Sequence, residues 1–136
     1  MDVSARDLAR VPAEHLRTPR AEFARLWLAA EERAESDPDW YAFGVAATCR
    51  WMAGVTVRPD QGPWYPAPAP VTQRTGRSTP ELIQQECMEA ELLAMRRPEP
   101  TWLARRPGWI DGVIATLNWA WLGTGSVPLD IDRRVS

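Results

Sequence analysis

The chain of 136 residues is 45% hydrophobic and 25% charged, and its formal net charge at pH 7 is −2. That length suffices for one domain with its own apolar core. The weak negative charge argues against a protein that binds nucleic acid through bulk positive charge, although it leaves a local basic patch open.

The choice of basic residues limits the chemistry. All 16 of them are Arg, so a phosphate-binding lysine, a lysine Schiff base and a lysine general base are excluded. Together with the many Ala and Pro residues, this usage indicates a high-GC bacterium or one of its phages or mobile elements. His15 is the single histidine. We interpret it as a surface or packing residue and expect no zinc or di-iron site.

We expect a protein that is not an enzyme and needs no cofactor or metal, because no nucleophile, paired-carboxylate or metal-ligand spacing is present. Cys49 and Cys87 lie on different predicted helices and are interpreted as reduced, buried thiols of a cytoplasmic protein. The chain opens with a polar segment and has no apolar run long enough to span a bilayer. We therefore expect neither a secretion signal nor a membrane partner.

The chain begins with an N-terminal arm, residues 1–17, in which charged residues alternate with single apolar ones. The first long helix then begins at Thr18, as N-cap, and Pro19, and runs to about Glu35. Its charged residues, Glu31 among them, are interpreted as solvent-exposed. Its predicted core face consists of Phe23, Leu26, Trp27, Ala30 and Ala34.

The second helix is predicted to begin with Asp37 as N-cap and Pro38 in the first position, and to reach Ala53 before Gly54 ends it. Apart from Arg50, its body is apolar nearly all round, and such a helix must be covered on every side. It is therefore either the central element of the domain or half of an intermolecular interface.

A proline-rich crossover, residues 54–78, separates this helix from the next. Its prolines disfavour helix and favour an extended chain close to polyproline II. Trp64 and Tyr65 lie within the crossover and have two interpretations. They either pin it onto its own bundle or, with Trp102 from a short turn over residues 101–106, form a site for a protein partner.

The third helix is predicted from Thr79, as N-cap, and Pro80 to about Arg97. The fourth runs over residues 109–122, and a polar tail, residues 123–136, follows it. Acidic residues on the third helix do not share one face, so we interpret them as solvated charges rather than as a metal site. They are Glu81, Glu86, Glu89 and Glu91.

One pattern, G-V-x-A-T-x-x-W, occurs twice, beginning at Gly44 in the second helix and at Gly112 in the fourth. At helical spacing the Gly, Ala, Thr and Trp positions form a single stripe, whose small residues allow a neighbouring backbone to approach. The repeat therefore predicts that these two helices cross closely. The predicted crossing residues are Gly44, Ala47, Trp51, Gly112, Ala115 and Trp119.

These elements predict a single all-α domain, a four-helix bundle of two helical hairpins over residues 18–53 and 79–122. The long proline-rich crossover joins the hairpins, and an internal pseudo-twofold axis relates them. A guanidinium on an apolar helix must be neutralised or reach water. Asp111 is the one acid on the equivalent helix, so we predict a buried pair between Arg50 and Asp111.

Eight Trp residues are the main anomaly of composition, and Trp is enriched at the energetic centres of interfaces. We therefore expect a non-catalytic protein–protein interaction, accessory or regulatory protein, which binds a protein partner or a second copy of itself. One alternative is a nucleic-acid-associated factor that uses the arginine pairs at positions 96–97, 105–106 and 133–134. Another is a homo-oligomeric structural protein.

Overall fold

The computed structural model describes residues 15–36, 39–57, 62–76 and 78–131. Within these ranges the chain is mostly helical, as the sequence predicts. Its helices are α1 (Arg20–Ser36), α2 (Trp40–Ala53), α3 (Pro80–Met95), α4 (Thr101–Ala104) and α5 (Trp109–Leu117), which continues as one π-helical turn, Asn118–Leu122. Two short strands, β1 (Thr56–Val57) and β2 (Tyr65–Pro66), lie between α2 and α3.

The helices pack in a series that places α2 and α5 at the centre. α1 packs against α2, α2 against α5, and α5 against α3. Large apolar side chains from all four helices are buried where the helices meet. Each helix has an apolar face, and that face is removed from water when it packs against the apolar face of another helix. They include Phe23, Leu26, Trp27, Val45, Met52, Ile83, Val113 and Leu117.

The start of α3 agrees with the prediction. Thr79 lies in an extended conformation, its Oγ1 accepts a hydrogen bond from the Leu82 N–H at 3.2 Å, and Pro80 occupies the first turn. The hydroxyl thus satisfies one of the amide donors that have no partner within the helix, and the proline has no N–H to satisfy.

The starts of α1 and α2 differ from the prediction. The N-cap of α2 is Asp39, whose Oδ1 accepts a hydrogen bond from the Ala42 N–H at 2.7 Å. The predicted cap, Asp37 with Pro38, lies outside the described residues, and the helix begins later in the chain. Thr18 does not cap α1, since its Oγ1 is a buried atom without a hydrogen-bond partner in the described part of the chain.

α2 and α5 approach most closely at Gly44 and Gly112. A Cβ atom on Gly44 would lie 2.2 Å from the Trp109 carbonyl oxygen, and one on Gly112 would lie 2.3 Å from that of Tyr41. No residue larger than glycine fits at either position unless the backbone of the opposite helix moves. The two repeat glycines therefore set the separation of the central helices, each fitting against the first turn of the opposite helix.

The remaining repeat positions surround this contact in matched pairs. Thr48 and Thr116 are fully buried, and each hydroxyl donates to the carbonyl oxygen of the repeat glycine four residues earlier, at 2.8 Å. Trp51 and Trp119 are buried as well. Ala47 and Ala115, which the stripe also assigned to the crossing, are only half-buried. They lie beside the closest contact, which depends on the glycines.

The crossover packs on the bundle through its second half. β1 and β2 pair antiparallel, with Thr56 opposite Pro66, and a two-residue pair of this kind was not predicted. Beyond it, Ala67 and Ala69 are buried against the core. Part of the crossover therefore packs against the helices and is not a free extended segment.

Glu86 of α3 binds this part of the crossover through hydrogen bonds. Its side chain is only 2% exposed, and Oε1 accepts from the Val71 N–H at 2.5 Å and from the Thr72 N–H at 2.9 Å. Oε2 accepts from the Thr72 hydroxyl at 2.9 Å. The interpretation of Glu86 as a solvated charge is therefore wrong. A carboxylate that receives three donors can be buried because they replace the water it loses.

The described parts of the N-terminal arm and the C-terminal tail pack against the helices, which was not predicted. In the predicted arm, His15 and Leu16 are buried, and in the predicted tail Leu129 and Ile131 are buried. Tyr41 donates its hydroxyl proton to the Pro128 carbonyl oxygen at 3.0 Å, which attaches the tail to α2. The rest of the arm, 1–14, and of the tail, 132–136, lies outside the described residues.

Candidate binding surface and adjoining cavity

One stripe of α2 is left open. Trp40, Phe43, Ala47 and Arg50 recur at spacings that place them on one side of a helix. Trp40 is 38% exposed and Phe43 is 36% exposed. Of the two interpretations of this apolar helix, a central position is thus found together with a stripe in its N-terminal half that the chain itself does not cover.

The loop between α4 and α5 brings a cation to this stripe. The Arg106 Cζ lies 5.4 Å from the ring centroid of Trp40 and 5.6 Å from that of Trp102. Trp102 is 43% exposed, and its ring meets that of Trp109 edge to face, with centroids 5.9 Å apart. We call Trp40, Phe43, Trp102 and Arg106 the aromatic surface.

Arg106 is oriented without being neutralised. The two indole faces attract its guanidinium through their negative quadrupoles. No carboxylate among the described residues lies within ion-pair distance of it. The N–H donors of a guanidinium lie in its own plane, so contacts between its face and aromatic rings leave them free to meet an incoming acceptor.

A cavity of about 310 Å³ continues from the aromatic surface. Helix α2 contributes Ala47 and Arg50 to its lining, and the α4–α5 region contributes Arg106 and Trp109. The crossover closes the other side with Ala67, Pro68, Pro70 and Gln73. We call this space the arginine cavity, since its described lining includes two guanidinium groups and no carboxylate.

Arg50 is held at the cavity by Glu31 of α1. Its Nε donates to Oε2 of Glu31 at 2.7 Å and its Nη2 to Oε1, a two-point ion pair. Trp27 Nε1 donates to the same Oε2 at 3.0 Å. Hydrogen bonding to Glu31 raises the pKa of Arg50 further above its usual range, against the opposing effect of burial.

Two predictions about this pair are corrected. Asp111 is exposed, in the first turn of α5, and does not neutralise Arg50. An acid at that position suits the positive end of the helix dipole instead. Glu31, interpreted as part of a solvated face, is 4% exposed, since it faces α2 across the α1–α2 contact.

Gln73 shapes the crossover side of the cavity. Its φ of 61° is left-handed, which is uncommon for a residue with a side chain. Its Nε2 donates to the Ala69 carbonyl oxygen at 3.2 Å and to that of Pro70 at 2.9 Å. These bonds use the side-chain amide to stabilise a tight turn in a segment whose prolines provide no N–H donors.

Of the residues predicted to bind a partner, Trp102 and Trp64 can be located in the structure. Trp102 belongs to the aromatic surface. Trp64 is 62% exposed on the crossover and makes no ring contact with Trp102 among the described residues. The side chain of Tyr65 lies outside what the structure describes, although its backbone pairs with Val57 in the two-residue sheet.

The two arginine pairs in the described part of the chain lie on separate elements. Arg97 donates from Nη1 to the carbonyl oxygens of Ala94 and Arg96, at 3.2 and 2.7 Å, which satisfies acceptors at the end of α3. In the second pair, Arg106 lies over the tryptophan rings. The third pair, at 133–134, lies outside the described residues.

Other reactive groups are few in the described part of the chain. Cys49 and Cys87 are free and buried. Burial raises the pKa of Cys49, and that of Cys87 to about 11. Within the described ranges, no three His, Cys, Asp or Glu side chains lie close enough together to hold a metal ion. No helix described there has the length and apolar character needed to cross a membrane.

Sequence reasoning missed the aromatic surface as a unit. It assigned Trp40 and Phe43 to a helix that had to be covered, and it considered Arg106 only as half of a basic pair. The spacing of positions 40, 43, 47 and 50 was a usable signal for a common stripe. No local signal shows that α4 and the loop after it, far along the chain, bring Trp102 and Arg106 to that stripe.

Comparison of the chain with protein-family models, with curated proteins and with solved structures gave no match.

Proposed function

We propose that this chain is a non-catalytic interaction protein of the cytoplasm, and that it binds a partner protein through the aromatic surface. The observation that carries the proposal is the position of Arg106 over Trp40 and Trp102. Trp and Arg are the residues most enriched among those that dominate interface energies. The cytoplasm is favoured by the two free, buried thiols, Cys49 and Cys87.

The same geometry indicates the chemistry of the partner. Apolar side chains of the partner would cover Trp40, Phe43 and Trp102, whose exposed faces gain from removal from water. A carboxylate beside them would accept hydrogen bonds from Arg106, which has no acidic partner among the described residues. We therefore propose a partner segment that presents apolar residues together with at least one Asp, Glu or C-terminal carboxylate.

The architecture suits a rigid binding surface. We propose that the two hairpins over 18–53 and 79–122 form a four-helix bundle with an internal pseudo-twofold axis. The reciprocal contacts of Gly44 and Gly112 support this arrangement. With a central pair so closely packed, Trp40 and Trp109 would hold their positions when a partner binds, and little ordering cost would oppose association.

Affinity capture tests the proposal. The protein and its Trp102→Ala variant are immobilised and exposed to an extract of the source cells, and the recovered proteins are quantified. Leu122→Ala is the matched control, because Leu122 is 45% exposed, much like Trp102 at 43%, but lies outside the aromatic surface. We expect a partner that is recovered by the unaltered protein and by Leu122→Ala, and at least tenfold less by Trp102→Ala, on the order of an interface hot spot.

Two results would contradict the proposal. One is that Trp102→Ala recovers the same proteins in the same amounts as Leu122→Ala. The other is that no protein is recovered above the background of an unrelated bait. A partner that is lost only when salt is raised and nuclease is added would instead support the nucleic-acid alternative, since phosphate contacts weaken steeply with salt.

A second candidate function is self-association through α3. Met88, Leu92 and Met95 are 58%, 59% and 69% exposed, and their spacing puts them on one side of the helix. Methionine and leucine side chains on an open helix face are suited to pairing with the same face of a second copy. Sedimentation equilibrium of the protein and of Leu92→Glu decides this: a dimer that Leu92→Glu dissociates supports it, and a monomer at all concentrations contradicts it.

A further inference from the structure

We infer that the arginine cavity is a binding site for an organic carboxylate with a flat apolar body. This inference does not rest on the proposed partner, although Arg106 belongs to both sites. A volume of about 310 Å³ lies at the lower end of the range for small-molecule sites. It accommodates a small aromatic acid or the terminal residue of a peptide.

The charge of the lining selects an anion. Arg50 is neutralised by Glu31, which lies on its α1 side, and Arg106 has no ion-pair partner among the described residues. No acid is among the described residues that line the cavity. These residues therefore carry about one uncompensated positive charge, which matches a monoanion better than a phosphate dianion.

Arg50 is oriented to bind such an anion. Of its five N–H donors, Nε–H and one on Nη2 are used by Glu31. The remaining donors have no partner in the described part of the chain, and Arg50 lines the cavity. Because the ion pair fixes the guanidinium before any ligand arrives, little side-chain entropy is lost on binding.

The other walls favour a carboxylate with an apolar body. Pro68 and Pro70 have no N–H, and the amides of Ala67 and Ala69 already donate to the Val55 and Arg74 carbonyl oxygens at 2.9 Å. These four residues thus offer no cluster of amide donors of the kind that binds phosphate. Its proline rings, together with Trp109 on the other side, form apolar walls for a flat group.

Titration calorimetry with two pairs of probes tests the inference on the full chain. The first pair is phenylacetate and its neutral counterpart phenylacetamide. The second is the peptide Gly-Gly-Phe with a free C-terminal carboxylate and the same peptide as its C-terminal amide. We expect saturable one-to-one binding of at least one acid and about tenfold or weaker binding of its amide. The acid that binds identifies the source: a free small molecule or a chain terminus.

Two variants that should impair binding and one control complete the test. Arg106→Gln removes one guanidinium and should weaken the acid about tenfold or more. Arg105 is its neighbour on the same loop and is also solvent-exposed, so Arg105→Gln should leave binding unchanged. Ala47→Leu keeps both charges but fills the cavity, and should abolish binding. Thermal unfolding of each variant checks that the fold is retained.

Three outcomes would overturn the inference: neither acid binds, acid and amide bind equally, or Arg106→Gln binds as well as Arg105→Gln does.

Discussion

Arg50 of α2 and Glu31 of α1 form a two-point ion pair across the contact of the first two helices. The side chain of Glu31 is 5% exposed and that of Arg50 is 31% exposed. The acid is thus inside the domain while the guanidinium reaches the arginine cavity. This pair both neutralises the only basic residue of the central helix and orients it towards the candidate site.

Removing Arg50 should destabilise the protein by about 3 kcal/mol, because it leaves the Glu31 carboxylate buried without its counter-charge. The measurement is the free energy of unfolding in urea for Arg50→Ala, Glu31→Ala and the double variant. We expect the double variant to lose much less than the sum of the single losses. The corresponding cycle with Asp111→Ala should be additive, and strong coupling to Asp111 would contradict the pairing described above.

Placing a methyl group at the helix crossing should be strongly unfavourable. In an ordinary helix Gly→Ala stabilises by up to about 1 kcal/mol. At Gly44 and Gly112 the new Cβ would lie 2.2 and 2.3 Å from a carbonyl oxygen, so we expect a loss of about 2 kcal/mol or more for each. Thermal unfolding checks the sign. A stabilised Gly44→Ala variant would show that the central helices do not approach this closely.

Glu86 should control the order of the crossover. Glu86→Ala removes the acceptor of the Val71 and Thr72 amides, so hydrogen exchange at these two amides should accelerate more than at core positions such as Val45. Glu81→Ala is the control, since Glu81 is an exposed acid on the same helix. Equal exchange rates at these two amides in Glu86→Ala and Glu81→Ala would mean that Glu86 does not hold the crossover in place.

Cys87 should make stability depend on alkaline pH. Burial raises the pKa of its thiol from 9.0 to about 11, so the folded state holds the proton more tightly than the unfolded state does. The stabilising contribution is complete below pH 9 and is lost as the pH rises towards 11. The free energy of unfolding, measured over this interval, should fall less steeply for Cys87→Ala than for the unaltered protein. Identical slopes would count against the raised pKa.

Local signals in the sequence were sufficient for much of the fold. A Thr-Pro pair placed the start of α3, glycine placed the end of α2, and the repeat placed Gly44 and Gly112 where the central helices meet. Each of these depends on residues close together in the chain or on backbone requirements that only one residue type meets.

Buried acids were not predictable in the same way. Glu31 and Glu86 look like ordinary solvated charges on amphipathic helices, because their partners lie on other elements. Arg50 was assigned to Asp111 for the same reason: helical spacing shows that a charge needs a partner but not which neighbouring helix supplies it. The aromatic surface likewise depends on the contact between Arg106 and Trp40, which only the packed chain brings together.

The central claim is that partners bind at the aromatic surface, and hydroxyl-radical footprinting of tryptophan side chains tests it most directly. The captured partner is added, and oxidation of each tryptophan is quantified by mass spectrometry in the free and bound protein. We predict that Trp40 and Trp102 become protected while Trp64, which is 62% exposed on the crossover, is oxidised as before. Protection of Trp64 with unchanged oxidation of Trp40 and Trp102 would contradict this account and place the partner on the crossover instead.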